Sequence, residues 1–415
     1  MQRPRLIQRM SVAAIGLVER FDRWLDAAFP LAVGLLCLDQ RTPAFLVLLV
    51  WLIWRLSLQI PRQPLVLVFL VLLGAQAGLF VLERDLQPSS ASDPLVIALG
   101  FVAMAGRSSQ QWRNTLAWIA LSVLPLGIWA AGQDPTVRLD LPVGGLNRLG
   151  FLLGLLQLSG WASIWLSRVW PQRLAFAALT VATVPMILHN GSRVALLAPL
   201  LAVLASFTAA LWIKRPLERL PSGWELVVPF RRAWTLALTG LLLMSLLLVL
   251  RYWYFSPAVA RVNILSDRGR IETAQCWARQ PWRKGGARLL LGLGYNDAVQ
   301  KRCLGRQLPA LDEVGRREGL PHAHNLFAQV MAENGLLGMA SLAVVIGLLI
   351  WRMLGTISAA PGFTSAKLVF VYGMPLLVYL LLNGLVSSFQ LFLMSNQLLI
   401  GLGLAAFWAD MPRSE

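Results

Sequence analysis

Two of the chain's three histidines, His322 and His324, lie just before a long apolar run. An imidazole held where a membrane meets water is a candidate general base, because its unperturbed pKa is about 6.5. His324 therefore becomes the candidate catalytic base for activating a hydroxyl group, and we expect His322 to be more exposed. Asn325 could orient a substrate or cap the helix that follows. The alternative for His324 is an ordinary polar residue in the interface.

Arginines at the ends of other apolar runs supply a second kind of chemistry. Arg193 begins one such run, while Arg268 and Arg270 precede a helical pattern in a long polar segment. Guanidinium groups bind phosphate oxygens in bidentate fashion, so these residues are candidate anion-binding groups. Arg148 is a weaker candidate of the same type. The alternative for Arg193 is a side chain that snorkels to the lipid head groups, and for the arginines of the polar segment it is a side chain that faces water or anionic head groups.

The elements that carry these residues are membrane helices. With 57% hydrophobic and only 14% charged residues, the composition lies outside that of soluble domains. Apolar runs of a length that can cross a bilayer predict an all-α polytopic protein with about twelve spans. We expect them near residues 25–38, 42–60, 64–82, 94–106, 112–131, 146–167, 173–189, 194–213, 233–254, 325–353, 366–384 and 391–409.

The distribution of basic residues predicts the orientation of these spans. If the N-terminus is cytoplasmic, the loops expected inside carry most of the short-loop arginines, and both chain ends lie inside. This arrangement divides the chain into spans 1–9 over residues 1–254, a large outer segment over 255–323, and spans 10–12 over 324–415. It also puts all the candidate residues on the outer face.

The large outer segment departs from the usual charge bias. Residues 255–321 contain twelve Lys or Arg against six Asp or Glu, which suits a polyanionic ligand such as a pyrophosphate. A helix is expected from Asp267 to Trp282, followed by a glycine-rich turn, and we expect the segment to fold back over the membrane surface and cap a cavity. Cys276 and Cys303 both lie in this segment, where an oxidising compartment could pair them, and their spacing alone does not decide whether they form a disulfide.

Together, a histidine base and several arginines beneath a basic flap suit transfer from a lipid-linked pyrophosphate donor. Fixed guanidinium groups can neutralise such a leaving group without a metal ion. No spacing of Cys and His predicts a zinc site, and no cofactor is expected.

At these residues the chain resembles the O-antigen ligase family, bacterial membrane proteins that share an O-antigen ligase or polymerase C-terminal region. The family's signature is a histidine followed directly by Asn, Ser or Gln. After nine residues of any type comes a Gly, and after two more comes Gly, Thr or Tyr. His324-Asn325 followed by Gly335 and Gly338 matches it. Arg193 resembles the family's span-end arginine, and Gly292 with Gly294 resembles its loop glycine pair. The likeness covers roughly residues 140–410.

The resemblance implies a C-type glycosyltransferase-like fold and an enzyme of the bacterial inner membrane with its site on the periplasmic side. It implies inverting, metal-independent transfer of O-antigen polysaccharide from undecaprenyl pyrophosphate to lipid A-core. Membrane lipids would surround the protein, and no nucleic acid is a partner. Arg270 resembles the loop arginine, but Trp277 lies further along than in relatives, so Arg268 and Arg270 remain alternatives.

Two other functions remain open at this point. An O-antigen or capsule polymerase, or a protein O-oligosaccharyltransferase, would use the same donor chemistry with a different acceptor. A transporter of a phosphorylated lipid should instead carry its arginines along a path across the membrane, whereas the candidates here are expected on one side.

Overall fold

The computed structural model describes residues 21, 24–58, 89–134, 139, 141–142, 146–212, 270–293, 323, 325–358, 367–386 and 394–409. In these ranges every regular element is a helix. The helices are α1 (Ala28–Cys37), α2 (Arg41–Leu58), α3 (Ser89–Met104), α4 (Ser109–Leu121), α5 (Val123–Ala131), α6 (Leu146–Leu166), α7 (Trp170–Asn190), α8 (Arg193–Trp212), α9 (Arg270–Lys284), α10 (Gly286–Leu291), α11 (Leu326–Ser358), α12 (Met374–Val386) and α13 (Met394–Leu404). A π-helical turn, Val369–Gly373, precedes α12, and a 3₁₀ turn, Ala405–Trp408, follows α13.

Several helices are long and apolar enough to cross a membrane, as the composition predicts. Among the described residues, four segments meet both conditions, at Ser109–Ala131, Leu149–Leu166, Trp170–Asn190 and Leu326–Gly355. Shorter apolar helices lie at Ala28–Cys37, Val194–Ser206, Val369–Leu385 and Asn396–Trp408. The chain therefore has the character of a membrane protein. The expected spans at 64–82 and 233–254 lie outside the described residues.

One apolar core joins the N-terminal and C-terminal helices. Close backbone approach explains the pairing of α3 with α13: a Cβ on Gly100 would lie 2.6 Å from the carbonyl oxygen of Leu398. Gly401 on α13 approaches the Ile97 backbone in the same way from the other side. Small residues allow such contacts between membrane helices, where burial of apolar surface gives little preference for one partner over another.

A buried ionic network ties α1, α2 and α4 together. Asp26 accepts hydrogen bonds from Arg55 at 2.7 Å, Trp51 at 2.8 Å, Asn114 at 3.0 Å and Thr115 at 2.7 Å. Asp26 and Arg55 are 0% and 1% exposed, so both charges are withdrawn from water. The desolvation cost of this burial is offset because each carboxylate oxygen of Asp26 accepts two hydrogen bonds. This network was not predicted from the sequence.

Among the described residues, four of the basic residues expected in the cytoplasmic loops lie at one end of the bundle: Arg55, Arg107, Arg113 and Arg168. Arg107 donates a hydrogen bond to the carbonyl of Arg55 at 3.0 Å. Arg113, in the first turns of α4, lies close enough to Arg168, just beyond α6, for their charges to repel. The grouping agrees with the loop pairing expected from the charge pattern, and it defines the basic end of the bundle.

Candidate functional site

The end of the helix bundle opposite the basic end is called here the site end. The contacts between α6 and α12 show which residues belong to it. Tyr372 is hydrogen-bonded to Ser159, and seven residues later Tyr379 donates to the carbonyl of Phe151 at 3.0 Å. The two helices therefore run antiparallel, and the start of α6 lies beside the end of α12. Arg148 is the third residue of α6 and so belongs to the site end.

The junction of α7 and α8 lies at the same end. A Cβ on Gly150 would lie 2.7 Å from the Cβ of Ser192, which places this junction against the first turn of α6. Buried Asn190 donates to the carbonyl of Leu139 at 2.8 Å, and Leu139 donates its N–H to the carbonyl of His189 at 3.2 Å. Ser192 accepts from Ala195 N–H at 3.3 Å and caps α8. Arg193 is the first residue of that helix.

Asn325 fastens the start of α11 to the end of α12. Its side-chain amide donates to the carbonyl of Leu385 at 3.0 Å, and its side-chain oxygen accepts from the N–H of Ala328 at 3.0 Å. The second bond is an N-cap, one of the two roles expected from the sequence. Contact with a substrate stays a prediction for this residue.

The residue before position 324 is also fixed. Ala323 is fully buried and donates its N–H to the side-chain oxygen of Gln329 at 2.8 Å. Gln329 in turn donates to the carboxylate of Glu333, one turn further along α11. Positions 323 and 325 are therefore each held by a hydrogen bond between side chain and backbone, so the chain on both sides of His324 is anchored to α11 or α12.

Helices α9 and α10 cover the beginning of α11. A small apolar cluster, separate from the main core, joins Trp277 to Ala323, Ala328, Ala332 and Leu293. Thr273 and Gln280 are buried on the same stripe of α9 as Trp277. The helix expected from Asp267 to Trp282 is observed at Arg270–Lys284, where it packs on the beginning of α11. That it covers the membrane surface and a cavity stays a prediction. The short helix α10 was not predicted.

Two glycines, more than forty residues apart in sequence, form the contact between α10 and α11. Gly335 adopts φ 61° and ψ −154°, kinking α11, and a Cβ there would lie 2.5 Å from Gly292 N and 2.6 Å from the carbonyl oxygen of Leu289. Gly292, at φ 81°, would collide in turn with the backbone of Glu333. The N–H of Leu293 donates to the carbonyl of Ala332 at 2.8 Å. Helix α11 is thus bent at Gly335, where its backbone meets that of Gly292.

The convergence of three helix starts gives the site end its electrostatic character. Helices α6, α8 and α11 all begin there, and the start of each helix carries a partial positive charge from its unpaired backbone N–H groups. Arg148 and Arg193 occupy the third and first positions of two of these helices. Such an arrangement favours an anion over a cation or a neutral ligand.

The sequence-based site residues differ in how far the structure describes them. Asn325 is described in full. The backbone positions of Arg148, Arg193 and Arg270 are described, with Arg270 as the first residue of α9, whereas their side chains are not. His322, His324 and Arg268 lie outside the described residues, as do the expected loop residue Gly294 and the cysteine Cys303. Cys276 is disulfide-bonded, and Cys37 is free and buried.

Sequence reasoning missed Asn190 and Gln329, which hold the two segments that carry Arg193 and His324. Asn190 stands directly before Gly191, and a helix that ends at a glycine is a recognised C-terminal signal that could have drawn attention to it. For Gln329 the sequence offers no signal, because its partner, the N–H of Ala323, is a backbone group.

Comparison with known proteins adds no assignment to this geometry. No protein-family model matches the chain, and no curated protein matches it.

Proposed function

We propose that this protein is a lipid-linked glycan transferase of the O-antigen ligase type, with about twelve membrane spans. It would move a polysaccharide from undecaprenyl pyrophosphate to lipid A-core on the periplasmic face of the bacterial inner membrane. The observation that supports this best is the meeting of the helix starts bearing Arg148 and Arg193 with the anchored segment on either side of His324.

Each part of that end has a role in the proposed reaction. Arg193, Arg148 and either Arg270 or Arg268 would bind the pyrophosphate, with the helix starts adding to the positive potential. His324 would accept the proton from the acceptor hydroxyl as its oxygen attacks the anomeric carbon. The bond from that carbon to the pyrophosphate oxygen breaks on the opposite face, which inverts the configuration and leaves undecaprenyl pyrophosphate.

Helices α9 and α10 contribute a cover to the proposed site. The disulfide at Cys276 would suit an oxidising compartment and so agrees with a periplasmic position for α9. A cover held on α11 by Gly292 and Gly335 would also limit the access of water to the donor, which favours transfer to a sugar over hydrolysis.

The acceptor separates the proposed ligase from its alternatives. Purified protein in detergent with a chelator is supplied with an undecaprenyl-pyrophosphate-linked glycan, with and without lipid A-core. Glycosylated lipid A-core is the expected product. Lengthening of the donor glycan would show a polymerase, and transfer to a polypeptide would show a protein O-oligosaccharyltransferase. Absence of any transfer under these conditions would favour a transporter of a lipid-linked substrate.

A further inference from the structure

The corner between α9 and α10 presents an uncovered surface that combines basic and apolar side chains. Trp282 and Leu290 are 60% and 56% exposed. Three basic side chains, Arg279, Arg283 and Lys284, are exposed beside them. We call these five residues the basic corner. Within the part of the chain that the structure describes, the three basic side chains make no hydrogen bond or ion pair.

The packing of α9 explains why this surface is uncovered. Its stripe of Thr273, Trp277 and Gln280 faces α11, so Arg279, Trp282 and Arg283 point away from the protein core. Lys284 is exposed because it is the last residue of the helix. The helix has a single acidic residue in its first turn, Glu272, and two basic residues in its last turn. The uncovered face therefore carries a net positive charge.

The length of α11 gives the height of the basic corner relative to a bilayer. The candidate span Leu326–Gly355 begins with a part containing Gln329, Glu333 and Asn334, after which no ionisable residue occurs before Arg352. The residues after Gly335 number about 20 and rise about 30 Å, which is the thickness of the hydrocarbon core. A span of that length would put Gly335, where α10 packs, at the membrane surface.

From this position and composition we infer that the basic corner docks on the phosphate-bearing head groups of the bilayer that contains the protein. Tryptophan and leucine would enter the boundary between head groups and acyl chains, as in amphipathic helices that lie in the interface. Arg279, Arg283 and Lys284 would contact lipid phosphates. Docking would hold α9 in the membrane plane, independently of which substrate the protein uses.

The inference is tested with the full chain reconstituted in nanodiscs. Exposed Ala287, between the two halves of the corner, is replaced by Cys and labelled with an NBD fluorophore; labelling of the native chain gives the background. Quenching is measured with lipids that carry a nitroxide at the head group or high on the acyl chain, in bilayers of phosphatidylcholine with or without phosphatidylglycerol.

We expect strong quenching by both nitroxides in the anionic bilayers and weaker quenching in pure phosphatidylcholine. In the labelled chain, the double substitution R283E and K284E should sharply reduce quenching in the anionic bilayers. Each basic residue near an anionic surface changes the equilibrium constant for docking on the order of fivefold. The matched control R168E reverses an exposed charge at the basic end and should leave quenching unchanged. Unquenched label, or equal quenching with and without R283E and K284E, would overturn the inference, and the corner would then face water or another protein.

Discussion

At the scale of single residues, the site end is held by hydrogen bonds from side chains to backbone. Asn325 joins α11 to α12, Gln329 fixes Ala323, and Asn190 fixes the segment at Leu139. All three are neutral amides, which can satisfy backbone groups without bringing a charge into the membrane. The residues expected to do chemistry are thus flanked by side chains that hold the backbone in place.

Asn325 performs two tasks that substitution can separate. Asn325→Ser keeps an oxygen that can cap α11 but removes the donor to Leu385, so we expect a loss of about 1 kcal/mol of folding free energy. Asn325→Ala removes both bonds and should cost about 2 kcal/mol. SDS-induced unfolding of the purified protein measures both. Equal stability of the two variants would contradict the cap.

The arginines of the site end should act on donor binding. Arg193→Gln and Arg270→Gln each remove a charged hydrogen-bond donor, so we expect KM for the lipid-linked donor to rise about 10- to 100-fold, with a smaller change in KM for the acceptor. Steady-state transfer kinetics measure the effect. Arg168→Gln, at the basic end, is the control and should leave both constants unchanged. A rise confined to the acceptor KM would contradict the assignment.

At the scale of elements, the glycine contact explains why separate sequence motifs occur together. Gly335 alone would be interpreted as a bend in a membrane helix, and Gly292 alone as the end of a short helix. Their backbones meet, so neither position has room for a Cβ, and the pair determines where α10 lies on α11. The cover and the anchored segment before α11 are therefore one structural unit.

Gly335→Ala should separate the cover, formed by α9 and α10, from α11. The backbone conformation at Gly335 strains any other residue by about 1–3 kcal/mol, and the collision with α10 adds to this. We expect α9 and α10 to detach, which protease sensitivity near Lys284 would report, while the protein still inserts. Gly347→Ala on the same helix has open space around it and should behave as the native chain. Unchanged protease resistance in Gly335→Ala would show that the contact is dispensable.

The ionic network at Asp26 gives a test of how α1, α2 and α4 are held. Asp26→Leu leaves Arg55 buried without its counter-ion and should cost about 3–5 kcal/mol, as should Arg55→Met. The double variant should be more stable than the sum of the two losses implies, because neither charge remains. Unfolding in SDS gives all four free energies. Strictly additive losses would show that the two side chains do not interact energetically.

At the scale of the whole molecule, the positions of helices were predictable and their partners were not. Apolar runs must match the bilayer, so the expected runs 146–167 and 194–213 agree within one residue with α6 and α8. The pairing of α3 with α13 depends on Gly100 and Gly401, and a single sequence contains many glycines of equal appearance. The grouping of basic residues at one end followed from the charge rule.

The candidate site also combines features that the sequence predicted with features that only the fold shows. The cap at Asn325 was one of the two roles predicted for that residue, because an asparagine just before a helix commonly caps it. Gly292, Gln329 and Asn190 contact backbone groups of other segments. Every residue has such groups, so residue types alone cannot predict these contacts. Composition and charge thus predicted a membrane protein with an anion-favouring end, whereas the supports of that end required the fold.

The central claim is that His324 is the base of a transfer reaction at the site end. Transfer from the undecaprenyl-pyrophosphate-linked glycan to lipid A-core, measured with purified protein and a chelator, should fall by about 100-fold or more in His324→Ala, because a general base contributes about 10²–10⁴ to the rate. His189→Ala removes the histidine that contacts the carbonyl of Asp134 and should retain activity. Near-native transfer by His324→Ala, in protein that remains folded, would contradict the account.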